Sequence, residues 1–268
     1  MSASEIDRIA PMVRPSGPAV MYQRWSQLLF LHWEVPVESL AALLPPGLEL
    51  DTFDGKAYVG LVPFTMQGVR PRGLPSVGWL SNFHETNVRT YVRVGNADPG
   101  VWFFSLDAAN PIAVMLARRW FHLPYFYATM SLTADEAGAI TYSSIRRVPG
   151  PNPPFCRVQA RPMGRVEPAG KGTLEHFLAE RYILYAAWSG GLVRGRVHHS
   201  PYPLQRAEVL DLEENLVAST TIVRPDLRPI AHFASGVSVE VFRLENMDNP
   251  TQKRPNAGSQ FAQSAVSI

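Results

Sequence analysis

Phe83-His84-Glu85-Thr86-Asn87-Val88-Arg89-Thr90-Tyr91-Val92 is the run on which the fold turns. Taken two residues at a time it separates into two faces, because successive side chains of a strand point to opposite sides. His84, Thr86, Val88, Thr90 and Val92 make a packing face rich in β-branched residues. Phe83, Glu85, Asn87, Arg89 and Tyr91 make the other, placing a carboxylate, an amide, a guanidinium and a phenol along one side. On an outer wall such groups are a solvated face, the ordinary place for charged side chains. Inside a closed sheet they are a site. The next run, Val101-Trp102-Phe103-Phe104-Ser105-Leu106, is apolar on both faces, which suits a strand covered on both sides and argues against an open edge beside it.

Outward from that centre the chain divides into short elements. Residues 1–20 form an arm spaced by Pro11, Pro15 and Pro18. Gln23 to Trp33 is a strand, and Val37 to Leu44 a short helix stopped by Pro45-Pro46-Gly47. Leu48 to Asp51 and Ala57 to Met66 are strands around an Asp54-Gly55 turn. Val69 to Gly78 is a Pro/Gly loop long enough for a lid or a partner contact. Asn110-Pro111 opens a helix, cap then proline at the first helical position, that runs from Ile112 to Phe121 and ends at Leu123-Pro124. Met130 to Thr133 and Ala139 to Arg147 pair as a hairpin, Pro149 to Pro154 is a stiff loop, and Arg157 to Pro162 is a strand. Thr173 caps a second helix over Leu174 to Ala187, with Leu174, Phe177, Leu178, Arg181, Tyr182 and Tyr185 on one stripe. Arg181 on that stripe must pair or snorkel. Val193 to His198, Gln205 to Asp211 and Val237 to Leu244 are the last strands. Residues 246–268 lose periodicity and read as a disordered tail. The organisation is one domain over residues 21–245, mainly β with a few helices.

Composition narrows the function. The 268 residues are 46% apolar and 18% charged, as in a folded globular protein. Arginine supplies all but three (Lys56, Lys171, Lys253) of the 25 cationic side chains, scattered among 23 carboxylates for a net charge of +2. That is no nucleic-acid footprint. No apolar run is long enough to cross a bilayer, and no signal peptide opens the chain. A single cysteine, Cys156, leaves no internal disulfide and suits a reducing cytoplasm. Arg157 beside it favours a thiolate, but a small residue at a loop edge is the plainer reading. The partner expected is therefore a small molecule, not nucleic acid and not a membrane, with homo-oligomerisation open.

His32, His84, His122, His176, His198, His199 and His232 form no His-x-His or His-x-x-x-His pair, so no metal is expected. Gly190-Gly191 lacks the context of a phosphate loop, and there is neither a dinucleotide fingerprint nor a nucleophile elbow, so no cofactor is expected. What remains is Glu85, Asn87, Arg89 and Tyr91, joined by Tyr125 after the helix. An enclosed carboxylate is pushed up by desolvation into the range where it moves protons near neutral pH. Arginine offers a fork to a carboxylate or enolate oxygen. The competing reading is a structural ion pair between Glu85 and Arg89.

Gln23-Arg24-Trp25, Leu43-Leu44-Pro45-Pro46, Asp51-Thr52-Phe53-Asp54-Gly55, Val62-Pro63-Phe64, Asn87-Val88-Arg89-Thr90-Tyr91-Val92, Ser105-Leu106-Asp107-Ala108, Leu123-Pro124-Tyr125, Glu180-Arg181-Tyr182 and His198-His199 fall in the order seen in the YqjF-like family. Over residues 14–245 the chain resembles that family, which is of uncharacterised function and similar to the acetoacetate decarboxylase-like superfamily. The resemblance implies a cone-shaped antiparallel β-barrel with a lumen for small molecules, hence an inward Glu85. It also removes an activity. In acetoacetate decarboxylases a Leu-Asp motif leads into a helix, and a later proline is followed by two lysines, one forming the Schiff base and one lowering its pKa. Here Leu106-Asp107 precedes the helix, but Tyr125 and Phe126 follow Pro124, and neither forms an imine. Of the superfamily's two acidic site residues one matches Glu85 and the other falls near Val62. Its carboxylate-holding arginine corresponds to Arg24, two residues out of register.

Two functions follow. The first is an enzyme of lyase, isomerase or hydratase type acting on a small anionic or carbonyl compound without Schiff-base chemistry. In it Glu85 and Tyr125 are catalytic, and Arg24, Asn87, Arg89 and Tyr91 bind substrate. The alternative is a ligand-binding protein on the same barrel. An interaction module working through the Pro-rich loops is a third reading.

Overall fold

The structure, a computed structural model, describes residues 6–188 and 191–247. Most of it is strand: β1 (Met21–Val35), then helix α1 (Val37–Ala41), β2 (Glu49–Leu50), β3 (Ala57–Pro71), helix α2 (Gly78–Ser81), β4 (Phe83–Val94) and β5 (Ala97–Ala108). Helix α3 (Pro111–Phe121) leads into β6 (Tyr125–Ala134), β7 (Ile140–Arg146) and β8 (Phe155–Glu167). Helix α4 (Leu174–Ala179) precedes β9 (Ile183–Trp188), β10 (Gly191–His198), β11 (Leu204–Glu214), β12 (Ile230–Val241) and β13 (Glu245–Asn246).

All thirteen strands among the described residues join one sheet in the order β13-β10-β9-β5-β6-β7-β8-β11-β12-β1-β3-β4-β2, and additional pairings of β4 with β5 and of β10 with β12 tie distant parts of it into rings. The sheet is not wholly antiparallel. Tyr125 to Tyr127 of β6 and Leu184-Tyr185 of β9 run parallel to β5. The first of these follows from α3, since a parallel neighbour needs a crossover, and here a helix supplies it. Asn110 starts that helix by accepting the Ile112 and Ala113 amides, each at 3.0 Å. Its Nδ2 donates to the carbonyls of Trp79 and Leu80, tying α2 to α3.

The inner halves of β1 and β3 are buried on both faces, which accounts for the unbroken apolar run from Leu28 to Leu31. Leu28, Phe30, Val62 and Phe64 face one core, while Leu29, Leu31, Val59 and Leu61 face a second core shared with Tyr142, Cys156 and Val158. Cys156 is a small core residue whose thiol is pushed up by burial, not a nucleophile.

The second helix is shorter than the stripe from Leu174 to Ala187 predicts. It ends at Ala179, and Ile183–Trp188 is a strand between β5 and β10. Leu184 and Tyr185 fit a helical stripe and a pleated surface equally well, and the non-local pairing decides for the strand. The arm is also more ordered than its prolines suggest: Ala10–Met12 is a turn of 3-10 helix, Arg14 pairs with Glu240, and Ala19 is buried. Of the expected tail, Asn246 lies in β13 against β10, and residues 248–268 lie outside the described residues. No described helix is long and apolar enough to cross a membrane.

Candidate active site

A cavity of about 540 Å³ opens within the sheet. Phe83, Glu85, Asn87 and Arg89 of β4 all line it, so the polar face of that strand looks inward. Opposite them in the β3–β4 register stand Met66, Phe64 and Val62, three apolar residues that keep water scarce.

Glu85 is 2% exposed and meets no cation within ion-pair distance among the described residues. The Tyr125 hydroxyl donates to its Oε2 at 2.8 Å, and the Asn87 side chain also hydrogen-bonds to it. Desolvation outweighs both bonds and, with help from the charge of Asp107, pushes the carboxyl up to about 8. Asp107 itself is held by Arg146 at 2.7 Å, on the far side of the strand. The competing reading, an ion pair between Glu85 and Arg89, is not formed, for a geometric reason. Four residues along a strand separate their Cα atoms by roughly 13 Å, and Arg89 points away from Glu85, toward the blind end.

There Arg89 Nη2 donates to the Leu178 carbonyl at 3.0 Å, and its guanidinium lies over the rings of Phe30 and Tyr91. Leu178 is in the last turn of α4, where carbonyls lack helical partners. The Tyr91 hydroxyl donates to the same carbonyl at 2.7 Å and also contacts His32 Nε2 at 2.6 Å. Because a carbonyl only accepts, Tyr91 must accept from His32, which places the imidazole proton on Nε2 and leaves Nδ1 bare. Tyr91 is thus fully committed and does not line the cavity; it supports Arg89 from behind.

Arg24 is not in the site. It is exposed, while its neighbours Gln23 and Trp25 line the cavity. Alternation read back from Leu28 and Phe30 would turn Arg24 inward, but Gln27 takes a left-handed conformation (φ 53°) and the β1–β3 register shifts beyond Ser26. The parity flips there, and residues 21, 23 and 25 face in where 28 does. Tyr125 does line the cavity, whereas Phe126, one residue on, faces Arg118 and Arg146.

Arg181 and Tyr202 also line the cavity but were not assigned to the site from the sequence. Arg181, whose place on an apolar stripe demanded a partner, finds Asp51 at 2.8 Å and stacks on Phe177 and Tyr91. Asp51 also holds Arg8 from the arm. Arg8 and Arg181 therefore share one carboxylate while Arg89 bonds only a carbonyl, an excess of positive charge at the blind end suited to an anion. Tyr202, held by its amide on Glu180 Oε1, is the other; its short Pro201-Tyr202-Pro203 setting carries no local signal. His199 stacks on Tyr182 with Tyr202 tilted against it, and burial lowers it to about 4. His198 lies 3.6 Å from Glu240. Among the described residues no three His, Cys, Asp or Glu side chains gather to hold a metal ion, and no lysine lines the cavity.

In its mainly β architecture the chain is similar to acetoacetate decarboxylase-like structures. The Legionella pneumophila acetoacetate decarboxylase superposes with a TM-score of 0.59 at 13% identity, covering 91% of this chain and 97% of that one. An acetoacetate decarboxylase-like enzyme from Sphingomonas wittichii RW1 gives 0.60 at 12% identity, covering 87% and 94%. The enduracididine biosynthesis enzyme MppR, complexed with pyruvate, gives 0.58 at 12%, covering 87% and 92%. Identities this low carry the fold alone. Within that fold residues 22–238 match DUF2071, described as an uncharacterized conserved protein, and the chain belongs to this family. Uncharacterized protein YqjF of Bacillus subtilis (strain 168) is 39% identical over 220 residues, 82% of this chain and 89% of the relative.

Proposed function

We propose that the chain is an enzyme that moves a proton on a small carbonyl compound bearing an anionic group, without forming an imine. The reading takes the rings of strands as the wall of a cone-shaped barrel and the cavity as its lumen. The observation that carries it is Glu85: buried, facing the cavity, without an ion-pair partner among the described residues and pushed up by burial to about 8. Near pH 7 such a group is mostly acid with roughly a tenth as carboxylate, so it can both give and take a proton. As carboxylate it removes a proton from the carbon beside the ligand carbonyl. The C–H pair becomes the double bond of an enolate, and the acid form returns the proton to carbon or oxygen. Tyr125 holds the carboxyl in place from the position where the resemblance puts a lysine. Asn87 Oδ1, buried with no partner among the described residues, offers an acceptor to a ligand hydroxyl or N–H. Arg89 and Arg181 draw the anion to the blind end.

The test is deuterium exchange. Incubated in D₂O with a panel of oxo acids and followed by proton NMR, the protein should exchange the hydrogens beside the carbonyl of at least one of them. Glu85→Gln should slow that exchange by about 10²-fold or more. Exchange equally fast in the variant removes Glu85 from the chemistry. Tight binding of oxo acids with no exchange at all would instead favour a ligand-binding role.

A further inference from the structure

The cavity is much longer than its polar cluster. Glu85, Asn87 and Tyr125 sit at mid-depth, yet β3 lines the space from Val62 to Pro71, roughly 30 Å of strand. Outward of Glu85 the wall carries no charged lining residue among those described. Arg70, on the same stretch of β3, is instead drawn over the ring of Tyr22. Past Phe83 and Met66 the walls are the 72–77 loop, α2 and the face of α3 that carries Ala113, Leu116, Ala117 and Trp120. At the mouth Leu74, Val77 and Trp120 line the cavity while remaining 59%, 54% and 57% exposed. Large apolar side chains gathered at one opening mark a binding groove, since soluble proteins otherwise keep such patches small.

We propose that the ligand is elongated and amphipathic: its carbonyl or hydroxyl function rests at Glu85 and Tyr125, and an unbranched alkyl chain runs outward beside Ala113 and Ala117 to the rim at Leu74, Val77 and Trp120. The anion sites at the blind end leave this outward path free. The inference deepens the proton-transfer reading and rests on its placing of the polar function at Glu85. A short oxo acid would leave the outer half of the cavity unfilled. Each added methylene buried there should strengthen binding by about fourfold.

The test uses a neutral series, so that chain length alone varies: 2-butanone, 2-hexanone, 2-octanone and 2-decanone, titrated against the full chain by quenching of its tryptophans, of which Trp25 and Trp120 line the cavity. Kd should fall about fourfold per methylene from four to ten carbons. Ala117→Phe, checked for folding by its melting curve, should flatten the slope to less than twofold over the whole series, and Ala113→Phe is the second plug. Equal affinities across the wild-type series overturn the inference, as does a slope that neither plug alters. Proton exchange lost in Glu85→Gln beside a flat slope would leave the acid–base reading standing and remove only the chain-binding one. A steep, plug-sensitive slope with exchange unaffected by Glu85→Gln would do the reverse.

Discussion

Replacing Glu85 with glutamine should make the protein more stable, and by an amount that depends on pH. The folded chain keeps the Glu85 proton up to about 8, whereas an unburied glutamate loses it near 4.5. Below 4.5 both states hold the proton, and the group's contribution to stability is fully present. As pH rises the unfolded state releases its proton first, so stability falls by about 1.36 kcal/mol per pH unit until the folded state also ionises. The loss is about 3 kcal/mol by pH 7 and levels off near 5 kcal/mol above pH 8. Glutamine matches the shape, still accepts from the Tyr125 phenol and has no proton to lose. Relative to the parent, Glu85→Gln should gain little at pH 4.5 and roughly 3 kcal/mol at pH 7, or about 6–12 °C in melting temperature. Urea denaturation of both proteins at pH 5, 7 and 9, followed by tryptophan fluorescence, measures this. Asp107 and the other titrating groups are common to both and largely cancel. A stability difference that does not change with pH would refute the claim that burial holds this carboxyl protonated. The same burial would then no longer supply an acid at neutral pH.

Three other perturbations probe the surroundings. Asp51→Asn removes the one carboxylate shared by Arg8 and Arg181, and a buried pair broken on one side costs about 3–5 kcal/mol; a loss under 1 kcal/mol in urea would show that the arginines are satisfied elsewhere. Gly60→Ala would place a Cβ 3.1 Å from His32 Cδ2 and 3.3 Å from Arg89 Cγ. Overpacking of this kind costs about 1–3 kcal/mol, so an alanine variant melting like the parent would mean the blind end is loosely packed. Tyr125→Phe deletes a hydrogen bond that favours the carboxylate form of Glu85. Its titration, followed by carbon-13 NMR of labelled glutamate, should move to higher pH, and a shift downward contradicts the assigned donor.

The strand carrying Glu85, Asn87 and Arg89 was legible because strict alternation along Phe83 to Val92 leaves only two faces to choose between, and the burial of its neighbours chose the inner one. Tyr125 was legible through the proline before it and the helix before that. Arg24 was misplaced because a bulge has no signature in alternation: Gln27 looks like any other residue, yet it reverses which side every preceding residue faces. Arg181 announced a missing partner but not its identity, since Asp51 lies 130 positions away in the chain. The strand after α4 was hidden for a similar reason. Leu184 and Tyr185 satisfy a helical stripe locally, and only the parallel seat beside β5, which exists once β5 itself is in place, tips them into a sheet. What sequence conveys well here is short-range parity; what it conceals is whatever depends on a distant segment arriving.

Asp51 joins the arm to the cavity. Arg8, on the segment before the first strand, and Arg181, in the cavity lining, grip opposite oxygens of that carboxylate. Clipping the arm by limited proteolysis, or pulling on it with a bulky fusion placed ahead of it, would therefore alter the electrostatics of a chamber that no described arm residue lines. A preparation bearing its affinity handle on the other end is the safer starting material for any ligand screen, and comparing the two would be an inexpensive gauge of how far the arm reaches.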